Sequence, residues 1–122
     1  MKRIALLSLL VSSLATAADE PTFYLCSDYV QRSAVGEQND QGWPVFIELT
    51  ASGASSFETF SEANAGRTAR VMAGSREFTR ATMWVPVSGG RLHTLFPSAA
   101  VATEWQQLLT TDLPAAPCGA GK

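Results

Sequence analysis

Between Trp43 and Thr50 the side chains alternate, with Val45, Ile47 and Leu49 on one side and Phe46, Glu48 and Thr50 on the other. A period of two predicts a half-buried strand. A strand-like stretch from Asp28 to Gly36 precedes it, across the polar loop Glu37-Gln38-Asn39-Asp40-Gln41-Gly42. Two such runs around turn residues predict a hairpin. After Thr50 the period changes: Ala54, Phe57 and Phe60 recur at helical spacing, with Glu58 and Glu62 on the wet side. Thr50 or Ser52 can cap this helix, and Asn64-Ala65-Gly66 ends it. Arg67 to Met72 reads as a strand. Gly74-Ser75 suits a two-residue turn with glycine first, and Arg76 to Trp84 is the return strand.

Pro86 and Ser88-Gly89-Gly90 punctuate the chain before a last strand, Arg91 to Phe96. Pro97-Ser98 then opens a second helix with Val101, Trp105, Leu108 and Leu109 on one stripe. Asp112 to Lys122 is a tail of proline, glycine and alanine. The order β-β-α-β-β-β-α predicts an α+β fold: a mostly antiparallel sheet with two helices on one face.

The first residues carry an address rather than a fold. Lys2 and Arg3 precede an apolar run from Ile4 to Leu14, and Ala15-Thr16-Ala17 offers small-x-small cleavage chemistry. The run is too short to cross a bilayer as a helix. Residues 1–17 are therefore expected to be a signal peptide. Residues 18–27 would then be an N-terminal segment, 28–111 the α+β domain and 112–122 the tail. Cleavage would leave a soluble periplasmic or secreted protein, with no stable membrane insertion. In an exported chain whose two cysteines are Cys26 and Cys118, the expected state is one disulfide between them. The alternative is two free or intermolecular thiols.

Charge narrows the partners. The full chain has nine basic and eleven acidic residues, a net −2. Loss of Lys2 and Arg3 leaves seven basic residues against the same eleven acidic ones. That balance speaks against nucleic acid and anionic lipid as general partners. A 46% apolar, 16% charged composition is too hydrophobic for a disordered chain. One His and two distant Cys cannot build a structural zinc site. His93 has no nucleophile motif beside it and reads as a solvent-facing strand residue, and no glycine-rich phosphate loop is present. No catalytic residue, cofactor or metal is assigned. Arg67, Arg70, Arg76, Arg80 and Arg91 lie within 25 residues, near Trp84. Either they form a solvated face balanced by glutamates, or Arg67, Arg70, Arg76, Arg80 and Trp84 form a patch that meets a partner.

From about Asp28 to Pro117 the order of elements resembles the head of the first periplasmic domain of SecD, a component of the protein-export machinery. The resemblance runs through Tyr29-Val30, Pro44 to Thr50, Gly53-Ala54 and Phe57. It continues through Asn64-Ala65-Gly66-Arg67, Gly74, Pro86-Val87-Ser88-Gly89-Gly90 and Leu113-Pro114-Ala115-Ala116-Pro117. It departs at Ala73-Gly74-Ser75, where the family usually has an acidic residue, and in the two bracketing cysteines. The six membrane spans of SecD have no counterpart after the signal, so proton-driven export is not carried over. What the resemblance implies is a free-standing, non-enzymatic interaction module that contacts polypeptide or an envelope protein in protein export. A small secreted enzyme of hydrolase type, with a site assembled from scattered residues, is the competing class.

Overall fold

The computed structural model describes residues 20–121. The expected signal segment 1–17 lies outside them. Strand β1 spans Thr22–Leu25, β2 Val30–Val35, β3 Trp43–Leu49, helix α1 Ala51–Ala63 and β4 Thr68–Ala73. Strand β5 spans Arg76–Thr82, β6 Arg91–Phe96, helix α2 Ala99–Thr111 and β7 Gly119–Ala120.

The expected α+β class stands, and every strand and helix read from the sequence is present. The strands are divided between two sheets, β5-β4-β1-β7 and β2-β3-β6. All ladders are antiparallel except β1 with β4. Two strands go beyond the sequence reading. β1 lies inside the segment assigned to residues 18–27 and is a central strand of the larger sheet. β7 lies in the tail and completes that sheet's edge. Each helix has its own ground: α1 packs against β1, β7 and β3, and α2 against β2, β3 and β6.

Local chemistry fixes the helix starts. The Thr50 hydroxyl accepts from the Gly53 N–H, and the Ser98 hydroxyl accepts from the Val101 N–H. Each satisfies a donor that the first helical turn leaves unpaired. At Gly74 the backbone has φ +60°, the left-handed value a tight turn between β4 and β5 requires.

The core is where the two sheets and both helices converge. Val45, Ile47 and Leu49 of β3 are buried, as their alternation predicts, while Phe46 on the opposite phase is exposed. Phe23 of β1 is fully buried, with its ring 4.9 Å from Phe57 and 5.4 Å from Phe60 of α1. At the other end Trp105 of α2 meets Phe78 of β5 edge-on at 5.5 Å and stacks on Phe96 of β6 at 5.7 Å. Ser33, buried on β2, reaches α2 by hydrogen bonds with the Gln106 carbonyl and the Thr110 hydroxyl.

Gly53 is required by contact rather than by torsion. A Cβ at this position would lie 2.6 Å from the Tyr29 carbonyl oxygen, so α1 touches the turn after β1 backbone to backbone. In an open helix Gly→Ala gains about 1 kcal/mol. Here Gly53→Ala is expected to lose about 1–3 kcal/mol, because the methyl must push main chain aside. Urea melts decide it: a variant as stable as the parent would mean the contact gives way freely.

Candidate functional site

The β4–β5 hairpin presents its outward face through one row of cross-strand pairs. Thr68 lies opposite Thr82, and Arg70 opposite Arg80. The two threonine hydroxyls hydrogen-bond at 2.8 Å. Trp84 continues the phase of Arg80 and Thr82 beyond the end of β5, and its ring lies beside Gly66 at the foot of the same row. The Gly66 N–H donates to the Met83 carbonyl at 2.8 Å, which holds the two chain segments together there. Trp84 is 76% exposed and the adjacent Val85 68% exposed.

Charge on this face is partly neutralised. Arg80 lies 3.4 Å from Glu20 and 3.1 Å from Glu77. Arg70 donates to the Thr22 hydroxyl at 3.1 Å, and its Nε–H is buried without a hydrogen-bond acceptor among the described residues. Arg67, exposed at the start of the hairpin, donates to the Asn64 side-chain oxygen at 3.4 Å. The hairpin face thus carries a guanidinium held by a neutral partner, one bracketed by carboxylates, and an open indole.

Arg76 does not share this face. A β-bulge between Val71 and Met72 places it opposite Ala73 on the inward phase. There its guanidinium covers the Trp105 ring at 4.7 Å and lies 3.8 Å from Glu104 of α2. Of the five residues singled out from the sequence, the fold aligns Arg70, Arg80 and Trp84, sets Arg67 at the end of their row, and turns Arg76 to the opposite side.

A second outward face escaped the sequence reading. On β2-β3-β6, Arg32, Glu48 and Arg91 stand side by side, and so do Ala34, Phe46 and His93. Arg32 pairs with Glu48 at 2.9 Å, and the Phe46 and His93 rings are 5.5 Å apart. These residues line a shallow groove of about 490 Å³. The available signal was the polar phase of β3, which put Phe46 on the wet side. His93 is exposed in this groove. Among the described residues no group of three or more His, Cys, Asp or Glu could hold a metal ion.

Cys26 and Cys118 form the expected disulfide, with Cα atoms 5.2 Å apart. No described helix is long and apolar enough to cross a membrane.

A structure of SecDF, a membrane component that enhances protein export, superposes with a TM-score of 0.65 at 18% identity. That match covers 79% of this chain and 44% of the other. The fold is SecD-like. SecDF in its super-membrane-facing form gives a TM-score of 0.63 at 18% identity, over 78% of this chain and 13% of that one. The SecD-like chain therefore spans less than half the length of either relative. No family profile and no curated protein matches it.

Proposed function

We propose that this chain is an exported, non-enzymatic interaction module that holds extended polypeptide against the outward face of its β4–β5 hairpin, in the context of protein export. The observation that carries this reading is Trp84, 76% exposed and in line with Arg80 and Arg70. A flat indole beside guanidinium groups binds chains of varied sequence, stacking on peptide planes and rings while the arginines pair with carboxylates. The SecD-like fold supports the setting, and the disulfide supports an oxidising compartment such as the periplasm. Arg80 is already shared between Glu20 and Glu77, so Arg70 and Trp84 supply most of the attraction.

Binding of this kind is weak and salt-sensitive, because exposed charges are screened beyond about 8 Å at physiological ionic strength. A photoreactive residue at position 80 or 84 should crosslink polypeptide from envelope extract, and one at Glu58 on the outer side of α1 should not. Labelling should fall as salt rises. Equal labelling at both places, or none at either, would remove the hairpin face as the site.

A further inference from the structure

We infer that the segment 112–121 is a redox-released strap, and that it covers a strand-docking edge on β1 that accepts extended polypeptide with small side chains. This edge lies on the opposite side of the larger sheet from β5. In the order β5-β4-β1-β7, one edge of β1 is held by β4 and the other is covered by the two residues of β7. The Gly121 N–H donates to the Thr22 carbonyl, and Tyr24 lies opposite Gly119. The Arg70 N–H donates to the Pro21 carbonyl. Backbone groups alternate sides along a strand. Thr22 and Tyr24 therefore face the strap, and Phe23 and Leu25 face β4.

Few hydrogen bonds and little apolar burial hold the strap besides the disulfide. Ala115, Ala116 and Pro117 are exposed, and Leu113 is half-buried against the core. The Ser27 N–H donates to the Pro114 carbonyl at 3.0 Å, and further attachment comes from the β7 pairing, from buried Gly119 packed beside Ser56 and Tyr29, and from Gly121 against the Tyr24 ring. A net hydrogen bond contributes no more than fixing one residue's backbone costs, so a few bonds cannot order a ten-residue segment alone. Cys118 is exposed while Cys26 is fully buried, which directs an external thiol to the Cys118 sulfur.

A dithiol reductant would act in two steps. Its thiolate bonds to Sγ of Cys118, the Cys118–Cys26 bond breaks, and Cys26 leaves as a thiolate that takes up a proton. The second thiol of the reductant then displaces Cys118, and the reductant ends as a disulfide, having given up two electrons. The freed strap uncovers the N–H and C=O groups of Thr22 and Tyr24 as a template for strand addition.

The strap itself shows which strand fits. A Cβ on Gly119 would lie 3.1 Å from the Ser56 hydroxyl and 3.5 Å from that of Tyr29. Ala120 forms one wall of a cleft of about 780 Å³ lined by Tyr29, Ser52, Ser55, Ser56 and Thr59. Gly119 also has φ +80°, so the occupant is a strand with Gly opposite Tyr24 and a small residue opposite Phe23, able to meet hydroxyl groups along α1.

Amide exchange followed by NMR tests this on the whole chain, because two neighbouring amides report on opposite edges. In the oxidised chain Tyr24 and Phe23 should both be protected. After reduction Tyr24 should exchange at least 100-fold faster than Phe23. A peptide of residues 114–121 carrying Cys118→Ser, at millimolar concentration, should then slow Tyr24 again about tenfold. The same peptide with Gly119→Val should not. Continued joint protection of the two amides after reduction would overturn the strap, and so would their joint loss, since the whole domain would then be opening. Failure of the peptide to slow Tyr24 would overturn the docking edge.

Discussion

Replacing Phe23 with alanine should lower the stability of the domain by about 3–5 kcal/mol, the usual cost of emptying a phenylalanine site in a core. Phe23 has no exposed surface, and its ring touches Phe57 and Phe60 of α1 and stacks with Tyr29 at 5.9 Å. The same truncation at Phe46, which is 47% exposed on β3, should cost less than about 1 kcal/mol. Thermal melts of the pair provide the check, since each kcal/mol shifts the midpoint by roughly 4–8 °C in a domain of this size. Similar midpoints for the two variants would mean that β1 is not part of the cooperative core.

Removing the disulfide is the second large change. Cys26 and Cys118 are 92 residues apart, and on the chain-entropy model closing such a loop stabilises by about 4–5 kcal/mol. The Cys26→Ala, Cys118→Ala chain should fall short of that full loss, because release of the strap returns entropy to the folded state. A loss of about 2–4 kcal/mol with the fold retained is expected. Denaturant midpoints with and without reductant measure it. An unfolded double variant would show that the strap is integral to the core, and an unchanged midpoint would show that the crosslink constrains nothing.

The part of the fold visible in the sequence is the part built from local contacts. Val45, Ile47 and Leu49 announce β3 by alternation, and Thr50 and Ser98 announce the helices by their hydroxyls. β1 could not be read this way. Thr22-Phe23-Tyr24-Leu25 has no clean alternation, as expected for a central strand with a parallel partner. That partner is reached across the whole of β2, β3 and α1, so no turn residue signals the pairing. β7 is a Gly-Ala pair with no strand preference of its own, placed by Cys118. The arginine cluster was visible as a cluster, but its geometry was not. Even spacing would set Arg76 and Arg80 on one face, and the bulge at Val71/Met72 reverses Arg76. A bulge leaves no mark in hydrophobic periodicity. The groove around Phe46 and His93 depends on β6 pairing with β3 and not with β5, which is a matter of topology.

The parallel register of β1 with β4 has a consequence for the order of events at birth. Thr22 meets Arg70, 48 residues further along the chain. At synthesis rates of about 5–20 residues per second, β1 is made roughly 2–10 s before its first strand partner. Its Phe-Tyr-Leu stretch is made before β4 and has no backbone ladder until β4 arrives. Contacts this distant in sequence also slow the closing step itself. A ribosome-stalled chain ending before residue 68 should therefore hold β1 open to proteases and to holdase chaperones, while the β2–β3 hairpin is already complete in sequence.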